Sequence, residues 1–400
     1  MDKVKQVQLS EIAELITKGT TPTTLGYEFV SNGVNFLKIE CFDENGAFLE
    51  DKVAHISEEC HEKLKRSQLK AGDILFSIAG AIGRVAIVTD EMIPANTNQA
   101  LAIIRISNDK IYLPYVKLIL TFPIVWRQFE NKKQGVAQLN LSLKDINELV
   151  IPLPDLSEQI KCADLFGKVS RIIENRKAEL NKCDELIKAR FVELFGDMAD
   201  PTCKWDKCKL VDVCSDPNDI KCGPFGTQLG KDEYTNSGVE VWEIPQINSE
   251  FRAMPTHFVT KEKAKDLEQY SIKPGDIAMS RKGNVGRCAV FPETFEEGII
   301  HSDVLRIRVD NSRVAPVFMM RQLHYSGDVQ HQIELVSSGA IMAGINVTKL
   351  KEISVYIPPK GLQDEFVSFV EQVDKSKVAV QKSMYKTQLL FDSLMQKYFG

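Results

Sequence analysis

Amide, hydroxyl and basic side chains are concentrated in several polar segments of this chain, between runs of apolar residues. Asn, Gln and Arg can form paired hydrogen bonds with the edges of nucleic-acid bases, and Lys and Arg can bind phosphates. These segments are therefore candidate DNA contacts. In the N-terminal half the candidates are Lys18, Thr20, Thr21, Lys38, Asn96, Thr97, Asn98, Gln99, Lys132, Lys133, Gln138 and Asn140. In the C-terminal half they are Lys221, Phe225, Gln228, Gln246, Asn248, Arg281, Lys282, Asn284, His301 and Ser302. The alternative for any one of them is a solvated loop, since Asn and Ser also favour turns.

Two glycine-containing loops, Gly80-Ala-Ile-Gly-Arg84 and Gly283-Asn-Val-Gly-Arg287, carry a further candidate each, Arg84 and Arg287. Glycines three residues apart before a β-type run supply positive φ in a tight loop and let another backbone approach. The arginine either binds a DNA phosphate or ties the loop to an internal carboxylate such as Asp73 or Asp276. Under the phosphate hypothesis, Arg84→Ala weakens DNA binding uniformly across sequences and flattens its salt dependence. An unchanged salt slope would reject that hypothesis.

Motifs for catalysis are missing from the sequence. A nucleic-acid adenine methyltransferase needs a cofactor-binding glycine loop and an Asn/Asp-Pro-Pro-aromatic motif, and a helicase needs a P-loop. None of these three patterns occurs. Asp155 with Glu158 and Lys161 superficially resembles a nuclease motif, but it falls at a predicted helix start, where acidic residues cap the helix. The sequence predicts no catalytic site and no cofactor.

Four cysteines near the start of the second half (Cys203, Cys208, Cys214 and Cys222) raise the question of a zinc site. Their spacings are not Cys-x2-Cys, and the first half has no counterparts. The six histidines form no ligand pair at helical spacing. The sequence predicts no metal site.

Composition limits the class of protein. With 400 residues, 44% of them hydrophobic and 26% charged, the chain has a globular composition and is long enough for two or more domains. A formal net charge of −5 argues against a protein that coats nucleic acid indiscriminately, but a sequence-specific binder needs only local basic clusters. Nine scattered cysteines, no signal peptide and no apolar run long enough for a bilayer predict a cytoplasmic protein without membrane association.

The chain repeats itself at a long period, which is the most informative feature of the sequence. Lys70-Ala-Gly-Asp-Ile-Leu-Phe-Ser77 matches Lys273-Pro-Gly-Asp-Ile-Ala-Met-Ser280, and the two glycine loops follow at the same offset of 203 residues. Ile104-Arg-Ile106 matches Ile307-Arg-Val309, again at this offset. Phe195-Gly196 matches Phe399-Gly400 at nearly the same spacing. One unit of about 200 residues is therefore used twice.

Each repeat has a mixed first part and a helical second part. Short β-type runs at 33–41, 73–78 and 101–106, and at 239–244, 276–280 and 304–309, alternate with helical stretches such as 57–70 and 113–129. This pattern predicts a compact α+β domain. Prolines at 152 and 154, and at 358 and 359, end the last strand. The predicted layout is an α+β domain at 1–155, a helical spacer at 156–197, a second α+β domain at 198–360 and a second helical spacer at 361–400.

The two spacer segments predict long helices with apolar seams. Phe166, Ile173, Leu180, Ile187 and Leu194 recur every seven residues in the first, and a similar pattern with a polar interruption at Lys377 runs through the second. Arg176 and Arg190 interrupt the first seam, as register-setting polar residues or as snorkelling side chains. Each helix would be roughly 55–60 Å long. A buried seam needs a partner, so we predict an antiparallel coiled coil between the two helices and a molecule with pseudo-two-fold symmetry.

On these residues the chain resembles the specificity subunits of type I restriction-modification systems. The resemblance covers all 400 residues, in the order domain, helix, domain, helix. Lys70 to Ser77 and Gly80 to Arg84 are similar to the family's central segment, and Cys222-Gly-Pro-Phe-Gly-Thr-Gln228 is similar to the opening of many of its recognition domains. Pro152-Leu-Pro154 with Glu158-Gln159 resembles the junction of domain and helix. The first domain departs at Lys18-Gly-Thr-Thr-Pro22, which replaces the Gly-Pro-Phe-Gly form.

The resemblance implies a non-catalytic subunit that reads a bipartite, non-palindromic sequence in double-stranded DNA, one half per domain. It implies docking of two methyltransferase subunits and of restriction translocase-nuclease subunits. Two readers one helical turn of DNA apart, about 34 Å, would suit helices of this length. Because the loops of the two domains differ, the two half-sites should differ. The alternative is a non-catalytic coiled-coil scaffold with two protein-binding domains.

Overall fold

The computed structural model describes residues 4–132, 140–200, 202–337 and 344–399. The chain divides into two compact units. Unit 1 contains Met1–Asn175 together with Met384–Gly400, and unit 2 contains Arg176–Ser383. Each unit therefore consists of one α+β domain with a segment of both long helices.

In the described residues of unit 1, the domain contains three small sheets. A two-stranded sheet has the order β1-β9, a four-stranded antiparallel sheet has the order β2-β8-β5-β6, and a three-stranded sheet has the order β4-β3-β7. In the last sheet β3 and β7 run parallel. The strands are β1 (Gln6–Gln8), β2 (Leu15–Lys18), β3 (Val34–Leu37), β4 (Ala54–Ile56), β5 (Ile74–Ser77), β6 (Val85–Ile87), β7 (Ala95–Thr97), β8 (Leu101–Arg105) and β9 (Val150–Pro152). The helices are α1 (Leu9–Ile12), α2 (Glu58–Lys63), α3 (Leu113–Leu120), α4 (Pro123–Trp126), α5 (Leu143–Asn147) and α6 (Leu156–Phe195).

Unit 2 repeats this construction. Its sheets have the orders β10-β19, β11-β18-β15-β16 and β13-β12-β17-β14, and β12 and β17 are the parallel pair. The strands are β10 (Asp206–Lys209), β11 (Ile220–Cys222), β12 (Val239–Trp242), β13 (His257–Val259), β14 (Ser271–Ile272), β15 (Ile277–Ser280), β16 (Cys288–Val290), β17 (Gly298–Ile300), β18 (Val304–Ile307) and β19 (Ser354–Ile357). The helices are α7 (Ile244–Asn248), α8 (Lys261–Asp266), α9 (Pro316–Tyr325), α10 (Gly327–Ser337), α11 (Val347–Lys351) and α12 (Lys360–Phe399).

A buried ion pair occupies the same position in both domains. Arg105 donates two hydrogen bonds of 2.7 Å to Asp73, whose side chain is 1% exposed. Arg308 binds Asp276 in the same way. Neither glycine-loop arginine binds these aspartates, because Arg105 and Arg308 already pair with them. Of the two alternatives for these arginines, the tie to an internal carboxylate is formed by Arg287, which pairs with Glu250 (3.2 Å). Arg84 instead donates to the backbone carbonyls of Ile39 and Phe42 (3.3 and 2.7 Å).

A buried glutamine fastens each long helix to its own domain. Gln159 on α6 accepts the backbone N–H of Tyr112 (2.9 Å) and donates to the carbonyls of Lys110 and Pro154. Both domains use the same arrangement. In unit 2 the side chain of Gln363 on α12 accepts the N–H of Ala315 and donates to the carbonyls of Arg313 and Pro358. Neither glutamine exposes more than 1% of its surface.

The two long helices pack against each other within each unit. In unit 1 the Phe166 ring on α6 lies 5.2 Å from that of Phe391 on α12. In unit 2 Asp184 on α6 binds Lys377 on α12 (2.7 Å). Further along α6, Arg190 binds Glu365. The partner number falls as the α6 number rises, so the helices run antiparallel, and the predicted coiled coil is confirmed.

The charged residues that interrupt the predicted apolar seams form ion pairs. Lys377 is 8% exposed yet reaches Asp184 on the facing helix, and Arg190 likewise reaches across to Glu365. Arg176 instead pairs with Glu179 one turn away on its own helix. The seam also includes Phe191, 2% exposed, which the seven-residue row had left out. It packs on Phe366 and Phe318 because α6 ends on the core of the second domain.

Two predicted helical stretches are shorter than expected. The 57–70 stretch forms α2 and then a 3-10 turn at Lys65–Ser67. The 113–129 stretch breaks between α3 and α4, because Pro123 starts a new helix and disfavours helical geometry at the residue before it. None of the helices in the described ranges combines the length and the hydropathy needed to cross a bilayer.

Candidate nucleic-acid interface

Two loops of unit 1 are held together at the end of β2. A Cβ on Gly19 would lie 2.0 Å from the carbonyl oxygen of Thr97, so glycine alone allows this approach. The backbone N–H of Thr20 donates to the same carbonyl (3.0 Å). The hydroxyl of Thr21 donates to the side-chain oxygen of Gln99. Thr20, Thr21 and Gln99 therefore share one surface.

Lys38 joins this surface through the parallel strands. Leu37, the last residue of β3, pairs with Thr97, the last residue of β7. The next residues, Lys38 and Asn98, consequently leave the sheet at the same edge. The Lys38 ammonium lies 4.8 Å from the ring centre of Phe29. We call Thr20, Thr21, Lys38, Asn98 and Gln99 the first loop cluster.

Asn96 and Thr97 do not belong to the first loop cluster. Both side chains are fully buried. The Asn96 amide donates to the Leu64 carbonyl and the Ser67 hydroxyl (3.1 Å each), and the Thr97 hydroxyl donates to the Leu37 carbonyl (2.7 Å). Gln246 in the second domain is likewise 3% exposed and donates to the Met254 carbonyl. These three side chains form structural hydrogen bonds inside the protein and have almost no surface that DNA could reach. They are therefore not candidates for DNA contact.

The corresponding loops of unit 2 carry different side chains. A Cβ on Gly223 would lie 2.3 Å from the His301 carbonyl oxygen, which repeats the approach seen at Gly19. Phe225 is 44% exposed, and the Arg281 guanidinium lies 4.8 Å from the centre of its ring. Next to Arg281, Lys282 binds Asp303 (2.7 Å). We call Phe225, Arg281, Lys282, His301 and Ser302 the second loop cluster.

Glu243, an acidic residue that was not among the sequence candidates, lies beside the second loop cluster. Trp242 pairs with Ile300 in the parallel strands, so Glu243 leaves the sheet beside His301. One carboxylate oxygen of Glu243 (Oε1) lies 4.0 Å from His301 Nε2, and the other (Oε2) lies 2.7 Å from His257 Nδ1. Carboxylates were absent from the candidate residue types, although a carboxylate can accept a hydrogen bond from the amino group of cytosine. The repeat itself was a usable signal, since Glu243 takes the place of Lys38.

Several other candidates do not belong to either cluster, although Gln228 accepts the backbone N–H of Phe225 in the second one (3.1 Å). Lys18 is half-buried on β2, and Asn140 is exposed. Lys221 donates to Gln269 (2.6 Å), and Gln228 accepts the hydroxyl of Tyr270. Asn248, Asn284 and Arg287 line a separate cleft of unit 2. Lys133, Gln138 and the side chain of Lys132 lie outside the described residues.

Charge is partly neutralised in both clusters. Lys38 lies 3.9 Å from Glu40, and Lys282 is bound to Asp303. Arg281 donates to the Ile345 carbonyl rather than to a carboxylate. The clusters are therefore polar and directional rather than strongly basic, which suits contact with base edges better than uniform attraction to phosphates.

The clustered cysteines are apolar packing residues. Cys203, Cys208, Cys214 and Cys222 are half-buried against the core of the second domain. Burial raises the pKa of the Cys214 thiol to about 12 and also raises the pKa of Cys208 and Cys222. In the described part of the chain, no group of three or more His, Cys, Asp or Glu side chains is placed to hold a metal ion.

One fold used twice, with unlike polar loops at the same position, defines a two-domain recognition protein. Residues 1–182 and 203–389 match the family described as the type I restriction modification DNA specificity domain. The chain belongs to this family, and it is a type I specificity subunit with two tandem recognition domains.

Relatives support the assignment. The EcoBI specificity subunit of Escherichia coli is 29% identical over 170 residues, which are 40% of this chain and 35% of that protein. This match thus spans about a third of the length of the E. coli relative. The putative MjaX specificity subunit of Methanocaldococcus jannaschii is 23% identical over 389 residues, covering 92% of this chain and 86% of that protein. The crystal structure of the type I S subunit from M. genitalium has the same fold, with a TM-score of 0.58, 14% identity and coverage of 100% and 97% of the two chains.

Proposed function

We propose that this chain reads a bipartite sequence in double-stranded DNA, with one half-site contacted by each loop cluster. The observation that carries the proposal is that equivalent loops, fixed by equivalent glycines, present different hydrogen-bonding groups. A shared backbone with changed side chains is what two readers of unlike sequences require. The chain would act without a catalytic site of its own.

The side chains suggest how each half is read. In the first loop cluster the amides of Asn98 and Gln99 can each form a bidentate pair with adenine. In the second, Arg281 can form a bidentate pair with guanine, and the adjacent Glu243 can accept a hydrogen bond from the amino group of cytosine. Each such pair discriminates against the wrong base by about 1–3 kcal/mol. The two half-sites should therefore differ in sequence.

We also propose the assembly in which the reader works. Two methyltransferase subunits and restriction translocase-nuclease subunits would dock on the chain in the cytoplasm. Domains at 1–155 and 198–360 would bind DNA, and the spacer helices at 156–197 and 361–400 would connect them. The matched family supports this proposal through the type I systems for which it is named.

The test is to determine the DNA motif that is methylated in cells that carry this chain with its methyltransferase partner. We expect loss of methylation at one bipartite motif when the chain is deleted. Gln99→Ala should relax a position in one half of the motif, and Arg281→Ala should relax a position in the other half. Gln372→Ala, on an exposed face of α12, is the matched control and should leave the motif unchanged.

The results of this experiment distinguish a DNA-reading subunit from a protein-binding scaffold. If both loop variants alter the same half, or neither alters the motif, the assignment of one half per cluster is wrong. If the chain binds no DNA in gel shifts at low and high salt, with or without its methyltransferase, the scaffold alternative takes its place.

A further inference from the structure

Unit 2 contains a cleft of about 720 Å³ beside the glycine loop between β15 and β16. Its walls come from α6, the end of α7, the glycine loop and α9, through residues that include Asp184, Asn248, Arg287 and Arg321. A cavity of this size accommodates a small molecule rather than a single water or ion. The loop clusters described above do not form it.

Arg321 is the unusual residue of this cleft. Its side chain projects from α9 and is only 8% exposed. Its Nε has no hydrogen-bond partner, and its Nη1 makes one long contact of 3.4 Å with the Tyr325 hydroxyl. Among the described residues no carboxylate pairs with it. Burial raises the pKa of Asp374 on α12, and Lys377 and then Arg321 oppose that rise, but Asp374 lies 3.8 Å from Lys377 and forms no direct ion pair with Arg321. A buried cation without a direct ion pair is unfavourable, and proteins normally pair such a charge.

The carboxylates of the cleft are already neutralised by other cations. Glu250 accepts from Arg287 (3.2 Å) and lies 3.8 Å from Arg252. Asp184 accepts from Lys377 (2.7 Å). Arg321 is therefore the cation of this cleft that no described carboxylate binds directly, and its unpartnered Nε–H favours an anionic acceptor. A guanidinium presents its donors as a planar fork that suits phosphate oxygens.

Two side chains near Arg321 indicate which other groups the ligand carries. The side-chain oxygen of Asn248 is buried and has no donor. His324 accepts the backbone N–H of Cys288 on Nε2 (3.1 Å), so a neutral ring carries its proton on Nδ1 and can donate. A ligand that satisfies the cleft needs an oxyanion and, in addition, a hydroxyl or amino group that donates to Asn248.

The first domain shows that the fold does not need this arginine. Tyr112 and Ala315 take equivalent positions before α3 and α9, because each donates its N–H to the fastening glutamine. Leu118 therefore stands where Arg321 stands in the second domain. In unit 1 the Trp126 ring fills the space beside Gly83, whereas the nearest side-chain atom to a Cβ on Gly286 would be a methyl of Ile333 at 3.0 Å.

We propose that the Arg321 cleft binds a phosphate-bearing ligand of nucleotide size, with the phosphate on Arg321 and a ligand donor on Asn248. The nucleotide is either free in solution or part of a DNA strand, since both present the same phosphate chemistry. The proposal does not depend on which bases the loop clusters read.

The test uses the full chain and three probes at constant ionic strength: inorganic phosphate, deoxyadenosine monophosphate and a DNA duplex. Deoxyadenosine without phosphate is the ligand control. Arg321→Leu installs the side chain that the first domain carries at the equivalent position. Arg66→Leu, at an exposed site of unit 1, is the matched variant control. Thermal stability and calorimetric binding are the readouts.

We expect deoxyadenosine monophosphate to raise the melting temperature of the wild-type chain and of Arg66→Leu, and to bind Arg321→Leu at least tenfold more weakly. Asn248→Leu should weaken the nucleotide more than inorganic phosphate. If only the duplex depends on Arg321, the DNA backbone is the source of the phosphate. If the nucleotide depends on Arg321 and the duplex does not, the ligand is a free nucleotide.

The proposal is overturned if no probe binds in an Arg321-dependent way, or if deoxyadenosine binds as well as its phosphate. Should Arg321→Leu fail to fold, hydrogen exchange of the wild-type chain decides the question. Ligand must then slow exchange in 283–287 and 316–325, and unchanged exchange there rejects the cleft.

Discussion

Replacing Gln363 with methionine tests how the second long helix is attached to its domain. The side chain is fully buried between α12 and the segment that precedes α9. It accepts the N–H of Ala315 (2.9 Å) and donates to the carbonyls of Arg313 (3.3 Å) and Pro358 (2.8 Å). Methionine keeps the length of the side chain and removes all of these hydrogen bonds.

The expected cost follows from these contacts. Each hydrogen bond between neutral groups contributes about 1 kcal/mol net. The N–H of Ala315, a residue that is 6% exposed, would in addition lose its acceptor, and an unpaired buried group costs about 1–3 kcal/mol. New apolar contacts of the methionine offset part of this loss. We expect Gln363→Met to lower the free energy of unfolding by about 3 kcal/mol.

Urea denaturation measures the loss, and hydrogen exchange locates it. Exchange should accelerate at Ala315 and in the first turn of α12. Gln372→Met, at an exposed position of the same helix, makes the same chemical change without burial and should alter the free energy of unfolding by less than about 0.5 kcal/mol. Equal stabilities of the two variants would refute the reasoning.

Other substitutions test the remaining polar groups. Arg308→Met leaves the buried carboxylate of Asp276 without its partner and should cost about 3–5 kcal/mol in urea denaturation, and adding Asp276→Asn should recover part of it. Burial, followed by the nearby arginines, lowers the pKa of His324 to about 4, so its contribution to stability is complete above pH 6.5 and is lost as the pH falls towards 4. Between pH 7 and pH 4 the wild-type chain should lose about 3 kcal/mol more than His324→Gln, and parallel pH profiles would contradict this. Arg84→Ala should lower the free energy of unfolding by about 2 kcal/mol, because two backbone carbonyls lose a charged donor, and should leave the salt slope of DNA binding unchanged. A flattened slope would restore the phosphate hypothesis.

The long helices were predictable because their signals are local and repeated. An uninterrupted stretch without proline and an apolar row every seven residues predict a helix with one buried face. The limits Leu156–Phe195 and Lys360–Phe399 agree with that prediction. The seven-residue pattern does not include Phe191, because the second domain buries this residue together with the facing helix.

The candidate site was predicted less well, because the type of a polar residue does not indicate whether its side chain is buried or exposed. Asn96 and Thr97 are of the same polar type as the neighbouring Asn98 and Gln99, but the first two belong to β7 and are fully buried. Asn98 and Gln99 come after the strand and remain accessible. A shift of one or two residues along a strand end thus separates a structural amide from a candidate base contact.

The sequence alone determined the duplication, the α+β character of the domains and the paired helices, because each depends on periodic or repeated residues that are read along the chain. Only the tertiary structure decided which polar groups form ion pairs or hydrogen bonds inside the protein. Asp73 is paired with Arg105 rather than with Arg84, and Arg321 is left unpaired, although nothing in their own sequence neighbourhoods distinguishes these arginines. The physical reason is that ion pairing and burial depend on distances between residues far apart in the chain, which packing alone sets.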